Sequence, residues 1–256
     1  MRLKIKTLIV VASVLSLALL PTMVNAKTDI DVEQLIKEID ELYRSSTSYT
    51  ELEMEIITPH WQRTLAMYGW SKGKDKTFIR ITSPRKEKGI ATLRVDNEMW
   101  NYLPKTNKIM KIPPSMMMGA WMGSDFTNDD LVKESSLLED YTFKLIHPDS
   151  AIEGMIYINC IPREDLAVVW GNIVIIVRES NHLPVTQEYY DEKGKLMRVM
   201  NYSNIKELGG RTIPSVLEMV PQTKEGHKTI IRYLKAEFNI NLSDDTFTLR
   251  NLRSRD

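Results

Sequence analysis

From Thr50 onward the chain repeats one pattern: short stretches in which apolar and polar residues alternate with a period of two, with turn formers between many of them. The clearest is TELEMEIIT, where Leu52, Met54 and Ile56 alternate with Glu51, Glu53 and Glu55. Successive side chains of a strand point to opposite faces, so this pattern marks a strand with one wet and one buried face. RTLAMYGW, KTFIRIT, IATLRVD, EMWNYLP, NKIMKIP, YTFKLIH, GMIYINCI, NIVIIVRE, VTQEYYD, KLMRVMNYS, TIPSVLEMVP and KTIIRYLKAEF continue it. Turn signals fall at Asp191–Gly194, Gly209-Gly210 and Lys224–His227. Segments so numerous, mostly at hairpin spacing, predict a mainly β chain with a few helices, folded as one large curved antiparallel sheet or barrel. No linker rich in Gly, Pro or Ser divides it, so residues 27–256 read as one domain.

A sheet with an apolar inner face needs a cover, and two stretches leave the period-two pattern. DVEQLIKEIDELYR places Val32, Leu35, Ile36, Ile39, Leu42 and Tyr43 on one stripe of a helix. Asp31 is its expected N-cap, with Gln34 completing a capping box. The second stretch runs from Pro113 to Asp140 and contains PPSMMMGAWMGSDFTNDDL, with a short helix expected from about Thr127. Asp125 and Asp129, with Ser124 and Asp130 beside them, read as helix-capping residues rather than a cation site.

The chain has 14 methionines, and those at Met54, Met67 and Met197 suit ordinary core filling. Met116, Met117, Met118 and Met122, with Trp121 and Phe126, crowd instead into a proline-bounded, non-alternating segment. Flexible thioethers repack readily, so this segment is expected to be a lid over an apolar cavity. In MWNYL, Trp100 and Tyr102 share one parity and Met99, Asn101 and Leu103 the other. Because a buried Asn is costly, Trp100 and Tyr102 are the pair expected to line the cavity, along with Trp70.

No catalytic constellation stands out. The four histidines are scattered, and no G-x-S-x-G elbow, phosphate-binding loop, dinucleotide fingerprint or EF-hand is present. No metal or cofactor is called for, and the expectation is a protein that is not an enzyme. Cys160, the lone cysteine, sits in an alternating strand and reads as a buried structural thiol. Arg63, Arg80 and Arg94 read as solvated side chains on an outer face.

At the N-terminus, Arg2, Lys4 and Lys6 precede an apolar run from Leu8 to Leu20, then Pro21 and Val24-Asn25-Ala26. This is the layout of a signal peptide over residues 1–26, cleaved near Lys27, and it predicts export to the periplasm. The segment carries three cations and no anions, so the balance of 34 basic and 34 acidic residues becomes 31 against 34. A slightly acidic chain lacks the footprint of a nucleic-acid binder.

DNEMWNYLPKTNKIMKI (residues 96–112) resembles the hairpin D-G-x-x-x-W-x-Y-x-P of the periplasmic lipoprotein carriers of the LolA and LolB type. Trp70, Lys72 and Phe78 in GWSKGKDKTFIRI are similar to the preceding Trp-Val-Lys-Arg-Pro strand. INLSDDTFTL (residues 240–249) is similar to the closing strand, and PPSMMMGAWMGSDFTNDDL to a signature of outer-membrane lipoprotein-sorting proteins. The resemblance implies an unclosed antiparallel half barrel with a helical lid, which shields the acyl chains of a lipoprotein or lipid on the way from inner to outer membrane. It implies an inner-membrane ABC transporter as donor and an outer-membrane acceptor; the mature chain itself is expected to be a monomer. The arginine that latches the lid of such carriers has no counterpart here, where Gly73 stands between Lys72 and Lys74. The alternative is a periplasmic binding or regulatory module that accepts a partner peptide or protein in the same concave face.

Overall fold

The computed structural model describes residues 30–133, 137–164 and 169–254. The expected signal peptide lies outside the described residues. The chain divides after Ile30, and all that follows concerns the unit that starts at Asp31.

The alternating segments form strands β1 (Thr47–Ile57), β2 (Gln62–Lys72), β3 (Lys76–Ser83), β4 (Ala91–Val95), β5 (Glu98–Leu103), β6 (Lys108–Lys111), β7 (Tyr141–Ile146), β8 (Met155–Pro162), β9 (Asn172–Arg178), β10 (Pro184–Tyr190), β11 (Leu196–Leu208), β12 (Arg211–Pro221) and β13 (Lys228–Phe238). They make one 13-stranded sheet in the order β6-β5-β4-β3-β2-β1-β13-β12-β11-β10-β9-β8-β7. Every neighbour is antiparallel, and β1 pairs with β13 to join the two ends of the chain at mid-sheet. The sheet is an unclosed half barrel whose edges are β6 and β7. At the hairpin between β11 and β12, Gly209 has φ +57°, and a Cβ there would lie 2.8 Å from the Ala236 carbonyl oxygen. Only glycine fits that turn.

This strand order decides what the non-β segment does. Residues 112–140 connect β6 to β7, the two outermost strands, so they must cross from one edge of the sheet to the other. They carry 3-10 turns at Pro114–Met116 and Trp121–Gly123, then helices α2 (Asn128–Lys133) and α3 (Leu137–Asp140). The crossing runs over the inner face. Helix α1 (Val32–Glu41) lies on the same side, burying Leu35 and Ile36, each of which contributes roughly 1.5–3 kcal/mol on burial. Asp31 caps it by accepting the Gln34 N–H at 3.0 Å. The return half of the expected capping box is absent, because the Gln34 side chain donates to Glu38 at 3.0 Å instead.

The outer face has a cover of its own. Phe78, Leu93 and Tyr102 pack there with Phe247 and Leu252, which come from a 3-10 turn at Asp244–Phe247 and from helix α4 (Leu249–Arg253). The closing strand expected over residues 240–249 is therefore replaced by helical turns. Ser243 accepts the Asp245 N–H at 3.2 Å and Thr248 the Asn251 N–H at 3.1 Å, and such local caps compete with strand pairing. Arg80, expected in solvent, is 4 % exposed. Its guanidinium donates to the carbonyls of Ser254 (2.7 Å) and Asn251 (3.0 Å), capping the end of α4. Among the described residues no helix is long and apolar enough to cross a membrane.

Candidate functional site

Between the inner face and its cover lies a cavity of about 330 Å³. Its floor is aliphatic and aromatic, with Leu52, Met54 and Met67 on one half of the sheet and Met200, Leu217 and Met219 on the other. Small-ligand sites run from roughly 300 to 1,000 Å³, so this cavity lies at the small end of that range.

The cover is pinned to the floor by two aromatic anchors. Trp121 is 4 % exposed and packs on Met54, Ile56, Leu65, Met67 and Ile81. Its indole N–H donates to Thr92 Oγ1 at 3.1 Å. Phe126 packs on Met200, Leu217 and Met219. Between the two anchors the backbone turns tightly. Met122 and Gly123 take φ values of 52° and 74°, and the Trp121 N–H donates to the Phe126 carbonyl at 2.7 Å. Such backbone is disfavoured for a residue as large as Met122, and it is held by Arg63 of β2, whose guanidinium donates to the Met122 carbonyl. Arg63 pairs with Ile56 and so shares the inner face rather than the solvated outer face expected for it.

The polar residues of the cover brace it internally and against the sheet. Thr127 and Asp130 form a reciprocal capping box for α2: the Asp130 N–H donates to Thr127 Oγ1 at 3.1 Å and the Thr127 N–H to Asp130 Oδ2 at 2.7 Å. Asp125 does not cap. It accepts the Thr229 hydroxyl at 2.8 Å and so joins the cover to β13. Asn128, 6 % exposed, donates to the carbonyls of Met116 (3.0 Å) and Gly119 (3.2 Å), stapling the methionine turn to the start of α2. Among the described residues no group of three or more His, Cys, Asp or Glu is placed to hold a metal ion.

The expected cavity residues separate into groups. Trp121 and Phe126 border the cavity. Trp70 does not turn its ring into it: the residue pairs with Phe78 across the strands, and the ring stacks among Tyr49, Tyr68 and Phe78 on the outer face. Met122 packs half-buried beside Trp121, and Met117 against Met99 and Ile112. Met116 and Met118 project outward, 55 % and 53 % exposed. Trp100 and Tyr102 lie on the outer face under α4 rather than in the cavity. The cost of burying Asn101 had placed them inside, but Thr92 Oγ1 donates to Asn101 Oδ1 at 2.7 Å from the paired strand. A satisfied amide carries little penalty.

Several cavity residues were not singled out from the sequence. Tyr43, Tyr189, Tyr202 and Tyr233 join the Phe126 half of the site. Arg94 and Arg198, 5 % and 6 % exposed, both border the cavity, so Arg94 too is not on a solvated outer face. A sequence signal existed for Arg198: it shares the parity of Met200 and Tyr202 in KLMRVMNYS. Burial raises the Tyr141 hydroxyl to about 12, and Tyr141 donates to the Trp170 carbonyl at 3.3 Å. Cys160 is fully buried, and desolvation pushes its thiol up to about 12.

A family model described as "Uncharacterized protein" matches residues 73–254. The chain belongs to that family. Solved structures with the same fold include a DUF1329 family protein from Desulfovibrio piger (TM-score 0.75, 23 % identity, 86 % of this chain and 97 % of that one). Another is described as an outer membrane lipoprotein-sorting protein domain from Vibrio parahaemolyticus (TM-score 0.73, 22 % identity, 87 % and 98 %). A third is a LolA superfamily protein from Nitrosomonas europaea (TM-score 0.72, 20 % identity, 87 % and 99 %). The fold is thus LolA-like, as the resemblance in the sequence implied. No curated protein matches the sequence.

Proposed function

We propose that this chain is a periplasmic carrier that shields acyl chains of a lipoprotein or lipid between the inner and outer membranes. The observation that carries this reading is a LolA-like half barrel with an apolar inner face, covered by a segment whose plug, Trp121, belongs to the cover rather than to the sheet. Transfer by partition needs no catalyst. Each methylene removed from water contributes about 0.8 kcal/mol, so displacing the plug by a longer chain is favourable overall. On this reading the chain is exported by its N-terminal segment, loads from an inner-membrane ABC transporter and unloads to an outer-membrane acceptor. Gently purified protein analysed by mass spectrometry should contain bound lipid or acylated peptide, and protein that is free of both and fails to take up an apolar probe would defeat the proposal.

One observation favours a second reading, a module that accepts a partner peptide. The sheet is unclosed, and β6 and β7 are its edges, where an extended segment can add a strand. A stable complex with a periplasmic protein, formed without lipid, would support that reading over the carrier.

A further inference from the structure

Partition of an aliphatic chain requires no charged group, yet Arg94 of β4 and Arg198 of β11 both lie in the cavity, almost fully buried. Withdrawing a guanidinium from water is costly, and apolar residues of similar volume commonly serve stability as well or better. Arg198 is also the more carefully held of the two. Its carbon lies 4.4 Å from the Trp170 ring centre and 4.3 Å from that of Tyr189, so two aromatic rings that do not belong to the cover orient it. Its two terminal nitrogens meet the two oxygens of Asp130 at 2.8 and 2.6 Å. Asp130 belongs to α2, within the cover, and also accepts the Thr127 N–H.

The charges of the cavity are sorted by element. Asp129 and Asp130 come from α2 and Asp140 from α3, whereas Arg94 and Arg198 come from the sheet. Asp40 and Arg44, which also border the cavity, are paired with each other at 2.8 Å at the end of α1. Lifting the crossing segment therefore removes carboxylates and leaves the two arginines on the floor. Arg94 repeats the arrangement, donating to the Leu131 carbonyl of α2 at 3.3 Å.

We propose that the cavity takes an anionic amphiphile, an aliphatic chain ending in a carboxylate or phosphate, whose headgroup replaces Asp130 on Arg198 as the cover lifts. This rests on the carrier reading above and names its ligand class. The guanidinium fork accepts a carboxylate or a phosphate in the same two-point geometry that it now gives Asp130. The exchange thus replaces one charge-assisted pair by another and adds the burial of the chain. Asp130 keeps its capping bond to Thr127. A neutral chain offers Arg198 at most an uncharged ester carbonyl: it must leave the cover latched or leave a buried cation without a counter-charge. A cationic headgroup meets two arginines and, once the cover lifts, loses the carboxylates.

The test uses three ligands of one chain length, displacing an apolar fluorescent probe from the purified protein: a fatty acid, the monoalkyl phosphate and the methyl ester of the acid. The acid, the phosphate or both should bind about tenfold or more tightly than the ester, the size of effect expected for charge-assisted hydrogen bonds. Whether acid or phosphate leads distinguishes a free fatty acid from a phospholipid-like source. Asp130→Asn, which removes the competing charge and keeps the shape, should strengthen acid binding more than ester binding. The double variant Arg198→Met with Asp130→Asn leaves no lone buried charge and should bind acid and ester alike. Equal affinity of the parent protein for acid and ester, or an acid preference that survives in the double variant, overturns the proposal and leaves the carrier reading standing. If no ligand of the three binds, the carrier reading fails with it.

Discussion

Trp121→Ala separates a plug from a core residue. A buried aromatic side chain removes about 150–250 Å² from water, which at about 25 cal/mol per Å² amounts to roughly 4–6 kcal/mol; measured Trp→Ala losses in cores are about 3–5 kcal/mol. Trp121, 4 % exposed, has the burial to reach that range. Its hydrogen bond adds little, because Thr92 keeps its bond to Asn101 when the indole is gone. If the cover opens as a unit, the loss has a ceiling: no variant of the plug can cost more than opening costs, since the open form is then the ground state. The expected loss is therefore below the core range, under about 3 kcal/mol, a fall in Tm of under about 12 °C at roughly 2–4 °C per kcal/mol for a domain of this size. The same change should tighten binding of an apolar probe about tenfold or more, because the competent open state becomes more populated. Urea unfolding with an unchanged slope gives the first quantity and probe titration the second. A loss of 4–5 kcal/mol with unaltered probe affinity would refute the reasoning and make Trp121 an ordinary core residue.

Met116→Ser with Met118→Ser should leave stability within about 0.5 kcal/mol by urea unfolding, since both side chains are more than half exposed. Asn128→Ala removes the side-chain bonds to the Met116 and Gly119 carbonyls, which keep the backbone N–H groups of Gly119 and residue 128. The cost should be about 0.5–1.5 kcal/mol for each bond lost, and limited proteolysis should then cut the crossing segment faster. Cys160, with its thiol raised to about 12, should resist a thiol-specific reagent at neutral pH in the folded protein and react once urea unfolds it. Lys76 and Lys72 hold the Asp244 carboxyl below its ordinary value of 3.8. Its small contribution is full above that value and falls away as the pH drops through the lowered folded one, so the pH dependence of stability in acid should flatten in Asp244→Asn.

Local pattern alone determined the sheet. Each strand announces itself through its own period of two, and the turns between β10 and β11 and between β11 and β12 through Gly194 and Gly209. The break in that pattern at Pro113 likewise marked the crossing segment before its path was known. Parity, however, says only that Trp100 and Asn101 face opposite ways. Which of them faces inward depended on Thr92 from the next strand, whose hydroxyl made an inward Asn101 tolerable. The closing segment went astray for a related reason, since its strand-like composition yielded to the side-chain caps of Ser243 and Thr248 and to Arg80 waiting at the end of α4. Arg198 and Asp130 stand 68 residues apart, on elements with different periods, and no local rule relates them. Their pairing exists only because β6 and β7 are opposite edges of one sheet, which obliges the chain between them to cross the inner face and set a carboxylate down on the floor.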